Sequence, residues 1–368
     1  MEVKKHRFTY EWKISETKFT KDKGSVFSCF ACGGGSSFGY KLAGFDVLGC
    51  NEIDPKMIEV YKVNHKPKYA YLEPIQTFKL RKDLPKELYN LDILDGSPPC
   101  SSFSMAGNRE KDWGKKKKFR EGQTDQVLDT LFFDFIDLAK ELQPKVVVAE
   151  NVKGMLLGDA QQYVREVYKA FGIAGYKLRI KPYLLDASKM GVPQKRERVF
   201  FIALRNDLAE PFMEQIDMFQ QAPKLELNFN ELGIKYCEFS DKNGRELTEH
   251  QKMLWNKKIN SDTTLNDINQ RERGLLSGFN ILLVKQNKVL NTIIANGKYI
   301  DFETPQHLSD ESIIKGGTFP SDYDFMTNNT VYLVGMSVPP VMTAQISTEI
   351  YTQWLCKSQK REGKNIKN

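Results

Sequence analysis

The sequence predicts an α/β fold: a doubly wound, mostly parallel sheet with a second, smaller domain. Three observations carry this. Short apolar runs alternate with helical patterns from Ser25 to Leu204. A glycine-rich turn, Gly33-Gly34-Gly35, follows the first run. Two later runs end on reactive side chains, Cys100 after Leu91–Pro99 and Glu150 after Val146–Ala149.

Taken in order, residues 1–24 are polar and basic with interspersed aromatics, and read as an extension whose order the sequence leaves open. Ser25–Phe30 is strand-like, Ala31–Ser37 a tight loop, and Phe38–Ala43 a helix stopped by Gly44. Phe45–Asn51 is the next strand and Pro55–Asn64 the next helix. Strands near 92–95 and 146–149 flank a helix near 125–142, closed by Pro144. A helix near 161–171 ends at Gly172, and strands near 176–185 and 199–204 follow. Residues 206–288 lose this regularity and form the expected second domain. Thr292–Ala295 marks a return to the first, with helices over 309–314 and 340–354 and a basic, frayed tail from Lys357. No repeats or low-complexity segments occur.

The bulk numbers bound the function. The 368 residues, 40% apolar and 27% charged, allow a large core in a soluble protein with a mean hydropathy of -0.48. The formal charge of +7 and a pI near 8.8 suit a polyanion partner without requiring one. No signal peptide is visible and no apolar run is long enough for a bilayer, so a cytoplasmic protein is expected. The six cysteines have no framework spacing and read as thiols. Cys29–Cys32 is a CxxC without a second ligand pair, so no metal is expected.

In an open α/β sheet, ligands sit beyond the carboxyl ends of strands. The glycine loop lets its backbone approach a ligand, and Glu52, seventeen residues after Gly35, suits the hydroxyls of a ribose. Asp54 is a competing acid. The loop breaks GxGxxG at Phe38 and lacks a Walker lysine, so a pyrophosphate is disfavoured and S-adenosylmethionine fits better. A glycine turn that only permits packing is the plainer alternative, but three glycines plus an acid at this spacing favour a ligand.

Cys100 must be a thiolate to attack, and Arg109, Lys111, Lys115–Lys118 and Arg120 lie downstream. An inert buried thiol is the alternative. Glu150 reads either as a capping carboxylate or as an acid whose pKa burial raises. Alternation over Gln194–Arg198 places Gln194, Arg196 and Arg198 on one face, where guanidinium groups can hold an oxygen.

Assembled, these residues resemble the DNA (cytosine-5)-methyltransferases, in the family's motif order from Val26 to about Met342. Phe30–Gly35 resembles the first cofactor motif and Asn51–Asp54 the second. Gly96–Cys100 is similar to the nucleophile motif, Glu150-Asn151-Val152 to ENV, and Gln194–Arg198 to QxRxR. Gly316–Pro320 and Gly335–Pro340 resemble the last two. Cys32 stands where glycine is usual, Glu73-Pro74-Ile75 replaces Gly-Asp-Ile, Leu128 replaces an arginine and Met336 an asparagine.

The resemblance implies a Rossmann-like catalytic domain over 25–205, a target-recognition domain over 206–288 and a return segment over 289–368 that completes the catalytic domain. It implies Cys100, Glu150, Arg196 and Arg198 as catalytic residues. It implies cofactor contacts from Phe30, Cys32, Gly33, Gly34, Gly35, Glu52, Ile53, Glu73, Ile75, Pro99, Leu131, Ser337 and Val338, with S-adenosyl-L-methionine as methyl donor. DNA contacts are implied at Ser102, Ser104, Lys115, Lys116 and Gln194, with Ser101–Gly122 as the loop over a flipped cytosine. The implied partner is double-stranded DNA, met by a monomer at the nucleoid, and a cognate restriction endonuclease stays open. Two rivals remain: a tRNA cytosine-5 methyltransferase on the same motifs, and a non-catalytic DNA-binding regulator. A nicotinamide-dependent dehydrogenase fails on the glycine spacing.

Overall fold

The computed structural model describes residues 6–99, 116–117, 126–127, 130–158, 160–218, 220–275 and 281–358. Contacts divide the chain into two units. One comprises residues 18–186, 197–228 and 343–358; the other comprises 6–17, 187–196 and 229–342.

The first unit is built on an eight-stranded sheet. Its elements are β1 (Ser25–Cys29), α1 (Gly35–Leu42), β2 (Asp46–Glu52), α2 (Pro55–His65), β3 (Tyr69–Leu72), α3 (Ile75–Phe78) and β4 (Ile93–Gly96). A two-residue antiparallel pair, β5 (Lys116–Lys117) and β6 (Gln126–Val127), stands apart from the sheet. Then come α4 (Leu131–Leu142), β7 (Val146–Val152), α5 (Ala160–Ala174), β8 (Tyr176–Leu178), β9 (Tyr183–Asp186) and β10 (Glu197–Arg205). The sheet order is β3-β2-β1-β4-β7-β10-β8, with β9 also on β10. Strands β3 to β7 run parallel, while β10 is antiparallel to β7, β8 and β9. The expected parallel, doubly wound sheet is therefore present, with an antiparallel end.

The strand order reverses between β1 and β4, so the crevice past their carboxyl ends is the topological switch point. Strand β7 is buried over Val146–Ala149, which is why that stretch reads as an unbroken apolar run. Phe27, Leu94, Val147 and Phe201 from the sheet pack with Phe132, Phe135 and Phe171 from α4 and α5 in one core. Edge strand β3, which the sequence reading did not assign, is only four residues long and partly exposed. Helix α1 starts at Gly35, not Phe38, and α4 at Leu131, not near 125.

The second division differs from the expected boundaries at 206 and 288. Helix α6 (Asn206–Ala209) and the hairpin β11 (Met213–Gln215) and β12 (Gln221–Pro223) belong with the sheet. Trp354 Nε1 donates to Lys224 O at 2.7 Å, and Gln353 pairs with the Glu226 backbone in both directions. The tail from Thr343 thus holds 224–226 to the sheet unit. The other unit contains α7 (Glu249–Trp255), α8 (Leu265–Arg273), β13 (Leu282–Val284), β14 (Tyr299–Asp301), α9 (Asp310–Gly316) and α10 (Thr330–Met336); α11 begins at Pro340 and runs to Ile350. Its small core includes Leu254, Ile268, Leu283 and Ile300.

The N-terminal extension, whose order the sequence leaves open, is tethered in its described part. Trp12 is buried and donates its indole N–H to Thr318 O at 3.0 Å. Ile14 and Ser15 donate their backbone N–H groups to the Asp322 carboxylate at 2.7 and 2.9 Å. An aromatic anchor and two charge-assisted bonds hold this polar segment in place.

Candidate active site

The loop after β1 turns through unusual backbone angles. Phe30 (φ 53°), Cys32 (φ 48°) and Gly34 (φ 82°) are left-handed. At Gly34 a Cβ would lie 2.1 Å from His65 Nε2, so only glycine lets the loop settle on the α2 terminus. Cys32 takes the same kind of conformation with a side chain, whose sulfur rests 3.6 Å from Met57 Sδ.

Glu52, at the end of β2, closes the other side of this cradle. Its Oε2 accepts the Cys32 N–H at 2.7 Å, and its Oε1 accepts those of Ile53 and Asp54 at 2.8 and 2.9 Å. Burial pushes its carboxyl above the usual range, and these three donors oppose the shift. Asp54 is no rival ligand: its Oδ1 caps α2 by accepting from Lys56 N and Met57 N.

The remaining cofactor expectations separate. Phe30 keeps part of its ring exposed, edge-on to Phe135 at 6.3 Å. Glu73 is tied on both oxygens, to Arg81 Nη1 at 2.9 Å and to the Thr77 hydroxyl at 3.1 Å. Ile75 and Leu131, at the starts of α3 and α4, are 2% and 0% exposed, so their side chains pack in the core. Ser337 and Val338 belong to the second unit, where Ser337 Oγ donates to Leu333 O.

The segment after β4 is held from β7. Asn151 Nδ2 donates to Pro98 O at 3.2 Å, while its Oδ1 accepts from Val152 N. Glu150 precedes it, and its Oε1 lies 2.9 Å from Arg198 Nε. Burial pulls the Arg198 guanidinium below its usual range, with Glu150 resisting. Cys100 follows Pro99 in the chain and lies outside the described residues, as do Ser102, Ser104 and Lys115; Lys116 is described only as backbone.

The structure places Arg196 and Gln194 against the backbone of the second unit. Arg196 Nη1 and Nη2 donate to Ile293 O and Gly335 O at 2.9 and 3.0 Å. Gln194 is 0% exposed, donating to Gly316 O at 2.7 Å and accepting from Ile293 N at 3.1 Å. Both side chains knit the second unit together. Strand β10 begins only at Glu197, and Arg198, opposite Val152 in the register, reaches diagonally to Glu150. Among the described residues no cluster of His, Cys, Asp or Glu has the makings of a metal site.

Comparison with known proteins gives this geometry a context. Residues 24–352 match the family model for C-5 cytosine-specific DNA methylase. The chain is 37% identical over 183 residues to the type II methyltransferase M.FnuDI of Fusobacterium nucleatum, covering 50% of this chain and 47% of that one. It is 26% identical over 338 residues to the type II methyltransferase M1.HphI of Haemophilus parahaemolyticus, covering 87% and 85%. The chain spans about half the length of the first curated relatives it matches. The fold is shared with Spodoptera frugiperda DNMT2, at a TM-score of 0.58 and 17% identity, covering 89% of this chain and 99% of that one.

Proposed function

The chain belongs to the C-5 cytosine-specific DNA methylase family, and on that premise we propose that it methylates C5 of a cytosine flipped out of duplex DNA. The observation that carries the reading is the Glu150–Arg198 pair at the end of β7, beside the Asn151 tether on Pro98.

C5 of cytosine is a weak nucleophile. Addition of the Cys100 thiolate to C6 makes the ring an enamine, and Glu150 holds or protonates N3 so that charge does not accumulate there. Arg198 keeps the Glu150 carboxylate in place and offers its guanidinium to the O2 oxygen. Loss of the C5 proton after methylation expels Cys100. The methyl group comes from S-adenosylmethionine, an electrophilic sulfonium donor. The chain's own residues fit that donor: the 32–35 backbone supplies a close approach, and Glu52 retains acceptor capacity for ribose hydroxyls beyond its three backbone donors. Arg196 and Gln194 support the reaction through the frame they brace.

The type II names of the relatives favour duplex DNA over RNA and suggest an endonuclease partner that cuts the unmodified sequence. We read the enzyme as a monomer of the cytoplasm. No helix among the described residues is long and apolar enough to cross a membrane.

The test is methyl transfer from labelled S-adenosylmethionine to genomic duplex DNA and to bulk tRNA, followed by sequencing for 5-methylcytosine. Label in a fixed DNA context is the expected result. Label confined to tRNA, or none, overturns the reading.

A further inference from the structure

Strand β4 carries an ionisable side chain deep inside the sheet. Asp95 is 4% exposed. Its Oδ2 accepts from Ser36 Oγ at 2.8 Å and Ser28 Oγ at 3.1 Å, and its Oδ1 accepts from Tyr40 OH at 3.1 Å. Ser37 Oγ donates to Ser28 Oγ at 3.1 Å, and Tyr61 OH donates to Ser37 Oγ at 2.9 Å. One carboxylate therefore collects hydroxyls from β1 and α1 and, through them, from α2.

The placement of these donors matters more than their number. Ser28 stands two residues before Phe30, where the loop begins, and pairs directly with Asp95 in the parallel register. Ser36 stands one residue after Gly35, where the loop ends. Asp95 itself stands one residue before Gly96, at the base of the Gly96–Pro99 segment. The carboxylate thus grips both ends of the 30–35 loop from the neighbouring strand.

A buried carboxylate is costly unless hydrogen bonded, and an apolar residue would fill this position more cheaply. Burial pushes the Asp95 carboxyl up to about 6, with the three hydroxyls pulling it back and Glu150 adding to the rise. The other ionisable groups facing it are Cys29 of β1, Tyr40 of α1 and Tyr61 of α2. Burial holds all three well above their ordinary values, so they stay neutral near that pH.

We propose that Asp95 is a positioning residue for the methyl-donor loop, holding Ser28, Ser36 and Tyr40 so that the 30–35 backbone keeps its binding shape. This rests on the reading of that loop as the S-adenosylmethionine site. Asp95 does not touch the donor. It acts through the serines at the loop's two ends.

The experiment is calorimetric titration of S-adenosylmethionine into the full chain and its Asp95→Asn and Ser36→Ala variants at pH 7.5 and 5.5, with thermal unfolding alongside. Asp95→Asn is expected to fold with an unchanged or higher Tm at pH 7.5, because a buried charge is gone, yet to bind the donor about tenfold more weakly. Ser36→Ala should weaken binding in the same direction. Glu52 also titrates in this loop and contributes equally to both proteins, so the wild type should lose more affinity than Asp95→Asn on acidification. In methyl transfer, KM for the donor should rise more than kcat falls. Wild-type affinity in Asp95→Asn overturns the inference. Should that variant not fold, unchanged affinity in Ser36→Ala overturns it. A wild-type chain that binds no S-adenosylmethionine overturns the donor-site reading itself, and this inference with it.

Discussion

Arg198 Nε lies 2.9 Å from Glu150 Oε1, and the two residues are diagonal neighbours on antiparallel strands rather than direct partners. Phe200 faces Glu150 and Arg198 faces Val152, so the period-two alternation of both strands puts the carboxylate and the guanidinium on one side of the sheet. Their side chains are 12% and 16% exposed, and so the pair is only partly screened by water.

Removing either half should therefore be costly in different currencies. Glu150→Gln should lower the methylation rate on the order of 10²–10⁴ while the fold survives. Arg198→Met leaves the carboxylate unpaired and should cost about 3 kcal/mol of stability as well as activity. Single-turnover kinetics and urea unfolding separate the two. A rate loss below tenfold for Glu150→Gln would show that another group acts on N3.

Cys100→Ser should abolish turnover and leave donor affinity intact, since no donor contact is asked of the sulfur. Duplex DNA carrying 5-fluorocytosine should become covalently attached to the wild type and not to this variant. Attachment to the serine variant, or turnover by it, would refute the nucleophile assignment.

Cys32 holds φ 48° with a side chain attached. Cys32→Gly should relieve that strain and stabilise the fold by up to about 1 kcal/mol. Thermal unfolding measures it. A clear loss would mean that the contact of its sulfur with Met57 outweighs the backbone strain.

His65 gives a prediction in pH. Burial drives its pKa well below 6.5, with the charge of Lys41 adding to the effect. The folded value is depressed, so below about pH 6.5 the unfolded chain takes up a proton that the folded chain refuses. Stability should be full above that pH and fall as pH drops, approaching about 1.4 kcal/mol per unit. His65→Gln should flatten the slope. An equal slope in both proteins would place the acid sensitivity elsewhere.

Much of the site could be read in the chain because its signals are local. Three consecutive glycines, an acid ending the second strand and Glu150-Asn151-Val152 each sit within one strand and the turn after it. What escaped reading is not local. Asp95 looks like an ordinary polar residue at a strand end until Ser28, Ser36 and Tyr40 are found around it.

By itself, then, the sequence determined the α/β alternation, the order of the motifs and the candidates for the reactive groups, because hydrophobic period and turn chemistry act over a few residues. The tertiary structure decided which members of those motifs do which work. It turned Gln194 and Arg196 to the backbone of the second unit, set Arg198 against Glu150, sank Ile75 and Leu131 into the core, and anchored Trp12. The physical reason is that burial and hydrogen-bond partners come from residues far apart in the chain, 306 positions between Trp12 and Thr318, and no local pattern encodes which distant carbonyl a side chain will meet.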